Sequence, residues 1–131
     1  MSLLLDTHIA FWMMFEPDML TSGEQAMLEA ERASTAVSVV SLWELRIKWN
    51  RHFTSGARKG PADPAALLDA LNAARISVIA LAAPVSIAEL NAPLDHSDPF
   101  DELLLTQAQE GGYRLLTRDT KLAHHPLAVT A

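Results

Sequence analysis

The chain has 131 residues and a mass of 14.3 kDa, which is enough for one compact domain and leaves little room for a second core. Half of the residues are hydrophobic and no apolar run approaches the roughly 18 residues that span a bilayer, so we expect a folded, cytoplasmic protein with no membrane association. The absence of cysteine excludes disulfides, thiolate zinc sites and cysteine nucleophiles, and a net charge of −6 argues against a general nucleic-acid-binding protein.

The first half of the chain predicts short buried strands that alternate with helices. Leu3, Leu4 and Leu5 form the first strand. The unbroken apolar segment 9–15 predicts a helix that has no polar face and therefore needs cover on every side. A helix over residues 24–33 follows, then a β-branched strand over 36–40 and a helix over 42–49.

The second half opens with the clearest loop of the chain, residues 50–64, which contains two glycines and two prolines. Helices are predicted over 65–74 and 84–91 and from Asp98-Pro99 to the Gly111-Gly112 stop, with strands over 76–81, 113–117 and 127–130 and a helical turn over 121–124. This alternation is typical of parallel βαβ units. We therefore predict a single domain over residues 1–131 with an α/β fold, a three-layer α/β/α sandwich around a mostly parallel sheet of about five strands.

Acidic residues follow three of the predicted strands. Asp6 directly follows the first strand, Glu44 lies in the predicted first turn of the helix after the second, and Asp119 lies two residues beyond the fourth. Because the carboxyl ends of parallel strands share one edge of a sheet, these carboxylates are expected to meet there. Asp98 and Asp101, spaced i and i+3 at a helix start, add two neighbouring carboxylates. The sequence thus predicts an acidic pocket.

Each of these acids also has a structural interpretation. Asp98 before Pro99 has the pattern of a helix N-cap, Asp101 can offset the helix dipole, and Asp119 can belong to a turn. Asp6 is the hardest to explain in this way, because a lone carboxylate at the end of an apolar strand costs several kcal/mol of desolvation.

Several carboxylates in one pocket call for a cation. Two carboxylates separated by about 4 Å repel each other by about 4 kcal/mol at an effective dielectric near 20. Oxygen ligands suit a hard divalent ion, so the pocket favours Mg²⁺ or Mn²⁺, which is a common device for phosphodiester chemistry. His8 and His96 lie close to these acids in the sequence and either flank the pocket or serve as hydrogen-bonded structural residues.

Four motifs give the chain its resemblance to a known family. They are LLLDTH at residues 3–8, VSLWEL at 40–45, HSDPFD at 96–101 with LLL and QA shortly after it, and LLTRD at 115–119. In this order and at these spacings they resemble the PIN domain, and within it the VapC-type toxins of bacterial type II toxin–antitoxin pairs. The resemblance runs over essentially the whole chain, and the sequence departs from the commoner pattern mainly in the loop from Asn50 to Pro61.

The resemblance implies an endoribonuclease that depends on one or two Mg²⁺ or Mn²⁺ ions. A metal held chiefly by two of the acids, Asp6 and Asp101, would acidify a water for attack on phosphorus, and Glu44 would help to complete the coordination sphere or accept the proton. The implied catalytic and metal-binding residues are Asp6, Glu44, Asp101 and Asp119, with Asp98, Thr7 and Thr117 in support.

An RNA substrate and protein partners follow from the same resemblance. Arg46, Lys48 and Arg51, on and just after the predicted helix 42–49, are candidates for phosphate contacts, with a solvated helix face as the alternative. A small cognate antitoxin and a homodimer are the implied partners. The tryptophans at positions 12, 43 and 49 are either core residues or anchors of such an interface.

Two other functional classes fit parts of the pattern. A phosphoacceptor signalling domain also gathers acids at strand ends, but it needs paired acids after the first strand, and here Asp6 is followed by Thr7 and His8. A non-catalytic PIN-like module that binds RNA or protein is the second alternative. It requires that the pocket bind no metal.

Overall fold

Five parallel strands form the centre of the computed structural model, which describes residues 1–131. The strands are β1 (Leu3–Leu5), β2 (Thr35–Ser38), β3 (Ser77–Ile79), β4 (Arg114–Leu116) and β5 (Ala128–Val129), and the helices are α1 (Thr7–Phe15), α2 (Ser22–Ala30), α3 (Val39–Trp49), α4 (Pro64–Ala73), α5 (Ala83–Ser86) and α6 (Pro99–Gly111). Short 3₁₀ turns cover Pro17–Met19 and Arg32–Ser34. No helix is both long and apolar enough to cross a bilayer.

The strand order is β3-β2-β1-β4-β5, with every neighbouring pair parallel. β1 lies at the centre, where Leu4 is in register with Ala36 of β2 and with Leu115 of β4. The chain moves away from β1 in one direction through β2 and β3 and later in the other through β4 and β5. The order therefore reverses between β1 and β4, and a crevice is expected beyond the carboxyl ends of these two strands.

Helices cover both faces of the sheet, which confirms the predicted three-layer α/β/α sandwich. Leu3 and Leu5 of β1 point into a core shared with α1, α2 and α4, whereas Leu4 points into a second core built largely on α6. All three leucines are fully buried, as expected for a central strand that is covered on both sides.

Helix α3 begins earlier than the sequence predicts. The hydroxyl of Ser38 accepts a hydrogen bond from the Val40 N–H at 3.0 Å and caps the helix, so residues 39 and 40 are helical and not part of the strand. Glu44 consequently lies in the second turn of α3, and its predicted place in the first turn is wrong. The predicted helix over residues 84–91 is also too long, since α5 spans only Ala83–Ser86.

The apolar helix α1 is only partly covered by its own chain. Ile9, Ala10 and Phe11 are buried, while Phe15 at its end is 40% exposed. Among the tryptophans, Trp43 on α3 is 53% exposed, so a core role is wrong for this residue, whereas the other two are half-buried.

Candidate active site

A cavity of about 350 Å³ opens beyond the carboxyl edge of the sheet, at the reversal between β1 and β4. Five carboxylates line it against two permanent cations. We call it the acidic cavity, and its lining residues are Asp6, His8, Ile9, Trp12, Glu44, Lys48, Asp98, Asp101, Arg118 and Asp119. All four predicted catalytic acids, and Asp98 with them, therefore meet in one place.

Asp6 connects β1 to α1 at the back of the cavity. It is the N-cap of α1, where its Oδ1 accepts the Thr7 N–H at 2.8 Å, and its Oδ2 accepts the hydroxyl of Thr117 at 2.7 Å. Burial raises the pKa of Asp6 above its ordinary value; the bonds from Thr117 and Thr7 oppose the shift, and the nearby charge of Glu44 adds to it.

Thr117, the residue after β4, ties Asp6 to Asp119. Its buried hydroxyl donates to Asp6 and accepts the Asp119 N–H at 3.0 Å. The Asp119 Oδ1 in turn accepts the Lys121 N–H at 2.9 Å, so Asp119 shapes a turn and lines the acidic cavity at the same time. The turn interpretation of Asp119 and its place in the pocket are therefore compatible.

Glu44 reaches the cavity from α3, with a hydrogen bond at each oxygen. The Thr7 hydroxyl donates to its Oε1 at 2.8 Å, and the Lys48 ammonium lies 3.1 Å from its Oε2. The same Thr7 hydroxyl lies 3.0 Å from the hydroxyl of Ser41, which is also buried. Thr7 thus links the start of α1 to the helix that carries Glu44.

Asp98 and Asp101 belong to the first turn of α6. Asp98 is the N-cap: its Oδ1 accepts the N–H groups of Phe100 at 2.9 Å and of Asp101 at 3.2 Å. Asp101 pairs through Oδ2 with Nε2 of His96 at 2.9 Å. Burial raises the pKa of Asp101; the hydrogen bond with His96 opposes this shift, while the charges of Asp98 and Asp6 add to it. Asp98 thus caps the helix and also lines the cavity.

The three predicted phosphate-binding residues are spread over different surfaces. Lys48 lines the acidic cavity, where it is paired with Glu44. Arg46 lies over the Trp43 ring, 4.7 Å from its centroid, and faces a separate groove between α3 and α4. Arg51 is exposed in the loop after α3. The structure therefore brings one of the three into the cavity.

Two residues that shape the site, Arg118 and Glu24, were not predicted from the sequence. Arg118 lines the cavity between Thr117 and Asp119, and it is held by Glu24 of α2, which lies 94 residues away in the chain. Its position inside the last motif was the only signal for Arg118. Glu24 forms a capping box with Thr21 at the start of α2, and nothing in the sequence paired it with an arginine of the last motif.

The donors in the cavity suit a hard divalent cation. Every anionic group is a carboxylate, and His8 is the only imidazole in the lining. No three of these side chains are arranged as a ready-made metal cage. Mg²⁺ does not require one, because it commonly keeps several of its waters and binds directly to one or two carboxylates and to substrate phosphate. The residues present therefore fit such an ion.

Comparison with known proteins agrees with this architecture. The family model of the PIN domain matches residues 3–126. The chain is also 30% identical to ribonuclease VapC22 of Mycobacterium tuberculosis, in an alignment that covers 98% of this chain and 97% of that protein.

Solved structures share the fold at lower sequence identity. A chain of the Rickettsia felis VapBC2 complex bound to promoter DNA superposes with a TM-score of 0.67 at 19% identity, over 100% of this chain and 98% of that one. A toxin–antitoxin complex from Klebsiella pneumoniae gives a TM-score of 0.65 at 19% identity, over 98% and 97% of the two chains. DNA-bound VapBC from Salmonella typhimurium gives 0.65 at 15% identity, over 100% and 97%. By its family match and its full-length similarity to a VapC ribonuclease, the chain belongs to the PIN-domain family and is of the VapC type.

Proposed function

We propose that the protein is an endoribonuclease toxin that hydrolyses RNA phosphodiester bonds with the help of Mg²⁺ or Mn²⁺. The observation that carries the proposal is the acidic cavity, in which carboxylates from four separate segments of the chain converge at the reversal point of the sheet. The similarity to a ribonuclease over nearly the whole chain supports the same reaction.

One or two metal ions would be held by the catalytic acids, with Asp6 and Asp101 as the chief ligands. Asp6 is fixed from two sides by Thr7 and Thr117, so its carboxylate is already oriented before an ion arrives. Asp101 uses Oδ2 for His96 and makes no hydrogen bond through Oδ1. Mg²⁺ or Mn²⁺ bound here supplies charge stabilisation for the phosphate and a more acidic water.

Hydrolysis also needs a group of the protein that accepts a proton from the attacking water. The attacking water forms a bond to phosphorus and gives up a proton to a basic group, while the bond to the leaving sugar oxygen breaks and that oxygen takes a proton from solvent. Glu44 can accept this proton only through the lone pairs that Thr7 and Lys48 leave, since each of its oxygens already accepts one hydrogen bond. Asp119 would help to complete the set of metal ligands.

A cleavage assay tests the proposal. Purified protein is incubated with total RNA, with and without Mg²⁺ or Mn²⁺, beside the variant Asp101→Asn. The matched control is Asp69→Asn, which removes the same charge from an exposed position on α4. We expect metal-dependent cleavage by the parent and by the Asp69 variant and none by the Asp101 variant. Equal cleavage by all three proteins would point to a contaminating nuclease and contradict the proposal.

Metal titration by calorimetry separates the enzyme from a non-catalytic PIN-like module. The parent should bind Mn²⁺, and Asp6→Asn should weaken that binding by at least about tenfold, because it removes a charged ligand. A parent protein that binds RNA but no divalent ion would favour the non-catalytic module. The phosphoacceptor class has no support from the family match.

Arg46, Lys48 and Arg51 are proposed as RNA phosphate contacts. Replacing all three with glutamine should weaken cleavage and reduce its salt sensitivity, because each lost phosphate contact lowers the number of released counterions. An unchanged salt dependence would leave these residues as a solvated surface.

A small antitoxin, a second copy of the chain and a cytoplasmic location complete the proposal. The structural relatives are toxin–antitoxin complexes. The incompletely covered helix α1, with Phe15 40% exposed, and the 53% exposed Trp43 supply apolar surface for partners. Light scattering at micromolar concentration should give the mass of a dimer; the mass of a monomer would contradict that part.

A further inference from the structure

Arg118 is the one cation of the acidic cavity that pairs with none of its acids. It follows Thr117 at the end of β4 and lines the cavity next to Asp119. Lys48, the other cation there, is paired with Glu44 of the cavity itself. The partner of Arg118 is Glu24, which lies outside the cavity on α2.

Glu24 holds the guanidinium in a fixed orientation. Nε of Arg118 donates to Glu24 Oε2 at 3.2 Å, and Nη2 donates both to Glu24 Oε1 and to the Met19 carbonyl, the latter at 2.8 Å. Glu24 is only 1% exposed and also accepts the Thr21 N–H at 2.8 Å, so it cannot easily swing away. The guanidinium carbon lies 4.4 Å from the centroid of the Trp12 ring, which also lines the cavity.

This arrangement leaves one nitrogen of the guanidinium, Nη1, available for a ligand. An arginine has five N–H donors, and those on Nε and Nη2 are used within the chain. The two donors on Nη1 make no hydrogen bond in the structure, and the side chain is 40% exposed. Each of these N–H groups can donate a charge-assisted hydrogen bond to an oxygen of a phosphate or carboxylate group in a ligand.

We propose that Nη1 of Arg118 binds a backbone phosphate of single-stranded RNA beside the acidic cavity. The inference rests on the proposed ribonuclease function and adds to it a phosphate contact inside the acidic cavity. Since Glu24 and Trp12 already fix the guanidinium, little side-chain entropy is lost when the phosphate binds. A phosphate held there would lie next to the carboxylates that are proposed to act on the neighbouring bond.

Binding of a labelled single-stranded RNA oligonucleotide, measured by fluorescence anisotropy over a range of salt, tests the inference. Asp101→Asn serves as the parent so that the RNA stays intact, and Arg118→Gln is made in it. Arg75→Gln is the matched control: Arg75 precedes β3, so it lies at the opposite, amino edge of the sheet, is exposed and makes no side-chain hydrogen bond.

The expected result has two parts. Arg118→Gln weakens binding about tenfold at low salt, because a charge-assisted contact is lost. It also reduces the slope of log K against log salt by about 0.7, the amount for one phosphate contact on a single strand, whereas Arg75→Gln changes neither quantity. Arg118→Lys keeps the charge and should keep the slope with a smaller loss of affinity. If Arg118→Gln is unfolded at the assay temperature, the RNA affinity of Arg118→Lys is compared with that of Arg75→Gln. A lower affinity in Arg118→Lys supports the inference, and an equal affinity contradicts it.

The failures of the two proposals can be told apart. If the protein cleaves RNA but Arg118→Gln and Arg118→Lys both bind the oligonucleotide like the Asp101→Asn parent, Arg118 only joins α2 to β4 and the inference is overturned while the ribonuclease stands. If the unmodified protein neither binds nor cleaves RNA, the proposed function fails and the inference fails with it.

Discussion

Removal of the Thr117 hydroxyl is the sharpest test of how the chain holds its carboxylates together. Thr117→Val keeps the shape of the side chain but deletes the donor to Asp6 Oδ2 at 2.7 Å and the acceptor for the Asp119 N–H at 3.0 Å. Thr117 is 1% exposed, so water cannot readily replace the bond to Asp6. The Asp119 N–H belongs to an exposed residue and can turn to solvent.

The magnitude follows from the bond to Asp6. A hydrogen bond to a charged group contributes about 1.5–3 kcal/mol, so we expect Thr117→Val to lower the free energy of unfolding at pH 7 by about 2 kcal/mol. For a chain of 131 residues this corresponds to a fall in Tm of about 7 °C. Thr117→Ser keeps the hydroxyl and is the control. Its free energy of unfolding should fall by much less than that of Thr117→Val.

The stability lost in Thr117→Val should depend on pH through the ionisation of Asp6, whose pKa is raised in the folded protein. Burial favours the protonated form in the folded state, and the Thr117 hydroxyl stabilises the ionised form. Without the hydroxyl the pKa of Asp6 rises further, so the cost of ionising Asp6 in the folded protein grows. The loss of stability should therefore be largest at pH 7 and should shrink as pH falls through the folded pKa of Asp6.

Urea unfolding of both variants at pH 7 and at pH 4.5, with a chelator present, measures this difference. Two results would refute the reasoning: an equal loss of stability for the valine and serine variants at pH 7, or a loss for Thr117→Val that does not decrease at the lower pH.

Three further predictions concern single side chains. Hydrogen bonds from Arg118 hold the pKa of Glu24 below its usual value despite burial. Glu24→Gln should therefore lower the free energy of unfolding by about 1–2 kcal/mol at pH 7, and by less as pH falls through the folded pKa of Glu24. Urea unfolding measures this loss, and a loss that does not depend on pH would contradict the prediction. Asp98→Ala removes the N-cap of α6 and should lower the free energy of unfolding by about 1 kcal/mol, whereas Asp98→Ser keeps the cap and most of this stability. If RNA cleavage falls equally in both variants, Asp98 acts in the cavity as well as in the cap. Lys48→Gln frees an oxygen of Glu44 and should tighten Mn²⁺ binding by a few fold in calorimetry, and weaker binding would show that Lys48 organises the site.

Patterns along the chain were enough to predict the class of fold and the five carboxylates of the acidic cavity, but not Arg118 among its lining residues. The fully apolar strand at residues 3–5 predicts a strand that is buried on both faces, and the acids that follow the strands are expected at one edge of a parallel sheet. The cap at Asp98 was equally readable, since capping depends on residues that are neighbours in the chain.

The long-range hydrogen-bond partners of the carboxylates, in contrast, depend on how distant segments of the chain pack together. The strand order places β1 beside β4, and this brings Thr117 to Asp6 across 111 residues of chain. The pairing of Arg118 with Glu24 likewise joins elements 94 residues apart. Local patterns depend on the few residues around a position, whereas contacts of this kind depend on how whole strands and helices pack, and for that reason no spacing in the sequence could supply them.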